Sequence, residues 1–80
     1  MKTSVEILDY YDEEVTQLIV EKYNYAPMDA LRLFLFSQTY QMLSDAELEL
    51  WEFGPAGIFD MWESEKITGD PRASAYIRRD

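Results

Sequence analysis

Cysteine and histidine are both absent from these 80 residues, and the two absences remove most of the familiar chemistry. Without thiolates, no disulfide and no sulfur-ligated metal can staple so small a fold, and its stability has to come from packing or from a second subunit. Without imidazole, the usual zinc sites, Cys–His and Ser–His nucleophiles and imidazole acid–base catalysis are excluded. No GxGxxG and no P-loop occurs, and the G-P-x-G at Gly54 to Gly57 runs on into Ile-Phe-Asp instead of Lys-Ser/Thr. Long apolar runs are missing too. Glu6 and Asp9 interrupt the N-terminus before a signal-peptide h-region forms, and nothing approaches the roughly 20 apolar residues of a membrane span. A cytoplasmic location is the expectation.

Carboxylate chemistry is what remains. The run Asp9-Tyr-Tyr-Asp-Glu-Glu lacks the alternating ligands and central Gly of a calcium loop. Asp9 and Glu13 stand one helical turn apart, yet no sugar-binding cleft can be argued in a chain this short. The sequence is therefore read as carrying no catalytic residue, no metal ligand and no cofactor site, and as not being an enzyme.

Basic residues are scarce. Residues 1–65 hold 14 acids and 3 bases, whereas residues 66–80 hold 2 acids and 4 bases, so an acidic body precedes a slightly basic tail in a chain of net charge −9. Such a body repels phosphate backbones and anionic lipid and attracts a basic partner. The plainer alternative is that the acidity serves solubility alone. Apolar residues make up 48% and aromatics 15% of the chain, enough for a packed core in one domain.

The apolar spacing predicts helices throughout. Asp12 is placed to cap a helix over residues 13–23, with Val15, Leu18, Ile19 and Tyr23 on one stripe and Tyr11 one turn earlier. Residues 4–11 read as a short helix or turn leading in, with Val5 and Leu8 packing inward. Asn24 suits the left-handed conformation that closes a helix, and Pro27 suits a first helical position. The next element, PMDALRLFLFSQTYQML, reads as helix, since Met28, Leu31, Phe34 and Leu35 share a face. Leu33 and Phe36 widen that stripe and make this the central element, apolar on most sides, with an interruption at Ser37 to Thr39 before a second short helix through Leu43.

Ser44-Asp45-Ala46-Glu47 reads as a capping box that starts a helix over residues 46–53. Gly54-Pro55 ends it, and Pro55 to Thr68 forms the next helix, with Ile58, Phe59, Met61 and Trp62 clustered on one side. Gly69 closes that helix. Asp70-Pro71 opens an extended tail in which Ala73, Ala75, Tyr76 and Ile77 pack back.

Binding surfaces are sought where acids and aromatics concentrate. Residues 47–65 contain both tryptophans and six carboxylates, with no Lys or Arg. On a helix, Asp45, Glu49 and Glu52 line one solvated face while Leu50 and Phe53 turn another way. Trp62 is expected in the core, and Trp51 is open between the core edge and an exposed interface. The six tyrosines fit the edge of a small core better than a recognition surface. A homodimer through the first or central helix would cover apolar surface that so small a body has trouble burying.

The segment from Pro27 to Glu65 resembles a loose group of short bacterial proteins whose pattern is an apolar helix, Ser-x-Thr-Tyr-x-x-Leu-x-Asp, an aromatic-containing segment, a Ser-Pro step and a closing helix. Ser37, Thr39, Tyr40, Leu43 and Asp45 follow that run, and Gly54 stands in for the Ser before Pro55. Members of the group look like accessory genes near toxin–antitoxin-like cassettes, so the resemblance implies a neutralising or regulatory role.

The expectation is one all-α domain over residues 1–80, a small bundle of four or five short helices, with residues 1–11 as lead-in and 70–80 as tail. It is read as an antitoxin-like or immunity-like protein-interaction module that meets a basic protein partner through Asp45, Glu49, Glu52 and the anchor Trp51. It binds neither nucleic acid directly nor membrane. The rival readings are a structural homodimer without an outside ligand and a nucleic-acid mimic that inhibits a DNA-binding protein.

Overall fold

The computed structural model describes residues 3–74. Four helices form an all-α bundle: α1 (Val5–Tyr23), α2 (Pro27–Leu35), α3 (Gln38–Ser44) and α4 (Gly54–Thr68). The long α1 packs against α2 and α4, and α3 closes on α4. Between them lies a core of Tyr11, Val15 and Ile19 from α1, Ala30 and Phe34 from α2, Leu43 from α3, and Ile58, Met61 and Trp62 from α4, joined by Leu50. Trp62 is buried, as its position among Ile58 and Phe59 implied.

The first helix starts earlier than expected. Ser4, and not Asp12, is its N-cap, with Ser4 Oγ accepting from Ile7 N at 3.3 Å. The physical reason is register: Tyr11, Val15 and Ile19 recur every four residues on one buried stripe, so Asp12 sits mid-helix where no free N–H groups await a cap. Leu8 is half-buried, but Val5 on the first turn is 71% exposed instead of packing inward. That end of the bundle is closed by Thr3, whose N–H donates to Ser44 O (2.9 Å) and whose hydroxyl donates to Leu43 O (2.6 Å). Asn24 then ends α1 at φ 58°, its N–H returned to Val20 O at 2.9 Å.

Ser37 separates α2 from α3. Its hydroxyl donates to Phe34 O (2.6 Å) and accepts from Tyr40 N (3.1 Å), terminating one helix and capping the next with a single oxygen. The central helix is less enclosed than its composition suggested. Ala30 and Phe34 are buried, while Met28, Leu33 and the C-cap Phe36 are exposed, because α1 and, to a lesser extent, α3 cover only part of this short helix.

Residues 46–53 do not form the expected α-helix. Two 3₁₀ turns, Ala46–Leu48 and Leu50–Phe53, are broken at Glu49, which adopts φ 52°. One α-helix cannot aim Leu48, Leu50, Trp51 and Phe53 at a single core. The break buries Leu50, half-buries Trp51 and leaves Leu48 and Phe53 exposed. The Ser44 capping box is also absent: Ser44 Oγ donates back to Tyr40 O, and Asp45 Oδ1 accepts from Glu47 N at 3.0 Å in its place. Gly54 (φ 76°, ψ 169°) makes the turn into α4, and Gly69 (φ 83°) closes that helix with its N–H on Glu65 O.

The tail begins as a 3₁₀ turn, Pro71–Ala73, seated on α4. Pro71 and Ser74 are buried and the Ser74 hydroxyl donates to the Asp60 carboxylate. Ala75, Tyr76 and Ile77 lie outside the described residues. Among the described residues, no helix is long and apolar enough to cross a membrane.

Candidate functional site

The four residues predicted to bind a partner fall on the loop between α3 and α4, not on a helical face. Asp45, Glu49 and Glu52 are exposed. Asp45 serves its own turn, and the left-handed backbone at Glu49 destroys the four-and-three spacing that would have aligned the carboxylates. Trp51 packs its half-buried ring against the core and accepts the Tyr11 hydroxyl on its main-chain carbonyl. Burial raises the pKa of that hydroxyl, and hydrogen bonding to the Gly54 backbone opposes the rise. The apolar side chains this loop presents to solvent are Leu48 and Phe53. Sequence reasoning left them out, although four large apolar residues in six positions announced that some would remain outside.

A groove of about 470 Å³ runs between α1 and the start of α2. Val20, Met28 and Leu31 give it an apolar floor, and Asp9, Asp12 and Glu13 from α1 give it an acidic rim. Asp12 Oδ1 and Thr16 Oγ1 are buried there without a hydrogen-bond partner among the described residues. Burial pushes the Asp12 carboxyl above its ordinary range and the charge of Asp9 adds to this, with the Tyr40 hydroxyl partly offsetting both. Tyr40 is raised in turn, by burial first and then by the Asp12 charge. Asp12 is thus a carboxylate with an unmet demand for a donor or a positive charge. Helical spacing marks Asp9, Asp12, Glu13 and Thr16 as one flank of α1. Only the packing of α2 beside that flank turns it into a groove.

A second groove, about 450 Å³, lies between α2 and α4 and has the opposite sign. Tyr25, Leu33, Phe36 and Trp62 line it together with Arg32 and Lys66, and with Ser37 and a single carboxylate, Glu65. Its aromatic wall continues inward, with Tyr23 stacked on Tyr25 (centroids 5.8 Å) and meeting Trp62 edge-on (5.7 Å). The adjacent Glu63 Oε2 takes the Lys22 ammonium and the Tyr23 hydroxyl, the latter at 2.6 Å. Burial pushes Glu63 up, but those two donors outweigh it and hold the carboxyl below its usual range. Tyr23 is pushed up to about 12, first by its hydrogen bond to Glu63 and then by burial. Glu65 is occupied elsewhere. Its two oxygens accept from Gln38 N and Thr39 N, both at 2.9 Å, and from the Thr39 hydroxyl at 2.8 Å, so it caps α3 from outside.

No protein-family model, no curated protein sequence and no solved structure matches this chain. Among the described residues, no three acidic side chains converge as a metal site.

Proposed function

We propose that this chain is a protein-interaction module whose groove between α1 and α2 takes a basic, apolar segment of a partner protein. The observation that carries the reading is the pairing of the Asp9, Asp12 and Glu13 rim with the Val20, Met28 and Leu31 floor. Apolar anchors of the partner would supply most of the affinity and lysines or arginines the encounter rate and the register. Asp12 favours such a partner in particular, because a positive charge seated on the rim would offset the burial and the Asp9 repulsion that weigh on its carboxylate. The acidic loop of Asp45, Glu47, Glu49 and Glu52 adds to the same attracting field. An antitoxin-like or immunity-like role in the cytoplasm, without catalysis, fits this chemistry and the resemblance of residues 27–65 to short proteins near toxin-like cassettes. Nucleic-acid mimicry loses its geometric support, since the repeated carboxylate spacing over 45–52 is not helical.

The test is fluorescence anisotropy of a labelled amphipathic peptide alternating Arg and Leu faces, titrated with the full chain. Binding is expected to weaken steeply with salt and to fall at least tenfold in Met28→Glu, a substitution at an exposed floor position. Salt-sensitive binding that Met28→Glu and Glu13→Lys both leave unchanged would mean nonspecific attraction, and the groove assignment would be abandoned.

A further inference from the structure

The second groove belongs to neither the predicted site nor the proposed partner surface, and its charge is the unusual one. The chain carries net −9, so two copies repel unless they meet through regions of opposite sign. Four basic residues lie within the described part of the chain, and two of them are ion-paired: Lys22 with Glu63, and Arg72 with Asp70 at 4.0 Å, while Lys66 lies over the Tyr23 ring at 5.3 Å. Arg32 and Lys66 both line the groove between α2 and α4, neither forming an ion pair among the described residues; the one carboxylate in that lining, Glu65, is taken up by Gln38 and Thr39, which leaves the groove net positive. Beside them Leu33 is 47% and Phe36 84% exposed. This is a cationic, aromatic trough in an acidic protein.

Its complement is on the same molecule. The loop 45–53 displays the carboxylates of Glu47, Glu49 and Glu52 around Leu48, which is 46% exposed. The loop feeds into α4 at Gly54, whereas the groove is lined near the far end of α4 by Trp62 and Lys66. At 1.5 Å per residue the two surfaces stand roughly 15 Å apart along one rigid helix. The loop is therefore unable to reach its own groove.

We infer that the groove between α2 and α4 receives the acidic loop 45–53 of a second copy of this chain, joining copies head to tail. Leu48 enters between Leu33 and Phe36, and Glu49 and Glu52 meet Arg32 and Lys66. Such a contact is heterologous: each copy offers a loop at one pole and a groove at the other, so assembly proceeds past the dimer into a ring or a chain. A symmetric contact of α2 with α2 would instead set Arg32 against its own copy and leave the loop uncovered. The inference does not rest on the proposed partner surface, which uses the Met28 and Leu31 side of α2.

Sedimentation velocity on the full chain tests it. The wild-type mass is expected to rise with concentration beyond that of a dimer and to fall as salt increases. A groove variant, Leu33→Ser with Phe36→Ser, and a loop variant, Leu48→Ser with Glu52→Gln, should each stay monomeric where the wild type assembles. All four positions are exposed, and matching circular dichroism spectra establish that both variants are folded. Mixed in equal amounts, they should form a one-to-one dimer and nothing larger, because the intact loop of the first fits the intact groove of the second. A wild type that stays monomeric to millimolar concentration would overturn the inference, as would a mixture that fails to pair. Self-association of the loop variant at wild-type strength would overturn it in favour of the symmetric α2 contact.

Discussion

Glu63 and Asp12 are both partly buried carboxylates, and their surroundings drive them in opposite directions. Glu63, held below its ordinary range, contributes stability that is present above its unfolded pKa and lost as pH falls through the folded value. Replacing it by Gln should cost about 1 kcal/mol at pH 7, because the amide oxygen still accepts from the Tyr23 hydroxyl but without the charge that strengthens the bond, and the exposed Lys22 is screened by solvent. In urea titrations the deficit should close as pH drops below about 4. An equal deficit at pH 3 and pH 7 would show that packing, not charge, is what Glu63 supplies. Asp12 is raised, so its folded state prefers the neutral form: its contribution is full below the unfolded pKa and is lost as pH rises through the folded value. Asp12→Asn should accordingly stabilise the chain by about 0.5–1 kcal/mol at pH 7, with the gain vanishing in acid. The same substitution should weaken the basic peptide.

Short elements in this chain depend on distant caps more than on their own sequence. The seven-residue α3 is too brief to persist alone, and its first N–H groups are met by Ser37 from within and Glu65 from α4. Glu65→Ala removes the acceptor for two backbone N–H groups and the Thr39 hydroxyl at once, and should cost about 2–3 kcal/mol in thermal or urea unfolding. Glu65→Gln keeps one side-chain oxygen and should restore part of that loss. A Glu65→Ala protein of wild-type stability would mean water replaces the cap. The Ser37 break was legible from the sequence, because a serine able to cap sits between two helical stripes. The Glu65 cap was not, since it spans 26 residues in the chain. The loop 45–53 departs from its expected helix for a related reason: Ala, Glu and Leu favour a helix locally, and only packing against α3 and α4 selects a broken path that buries Leu50 and leaves Leu48 outside.

At the scale of the molecule the acidity is not uniform. α2 separates an acidic groove, shared with α1, from a basic aromatic one, shared with α4. The salt dependence expected for the basic peptide belongs to this level, because it reports the summed field of α1 and the loop and not one ion pair. The exposed α2 residues have the same logic. Met28 lines the first groove, and Leu33 and the C-cap Phe36 line the second, so a helix of nine residues and its cap present apolar surface on two sides. The proposed head-to-tail contact replaces the homodimer expected through the first or central helix with one whose complement is named.

The sequence by itself determined that the chain is all-α and acidic, that Asn24, Ser37 and Gly69 bound its helices, and that Trp62 lies in the core. Each of these follows from local rules, namely side-chain period, capping chemistry and the backbone freedom of Asn and Gly. Tertiary structure alone decided that α1 runs unbroken from Val5, that residues 46–53 turn back at Glu49, and that Trp51 becomes a wedge while Leu48 and Phe53 face outward. It also decided which acids rim a groove. Those outcomes are set by how much apolar surface neighbouring helices can cover, a quantity that no stretch of the chain carries within itself.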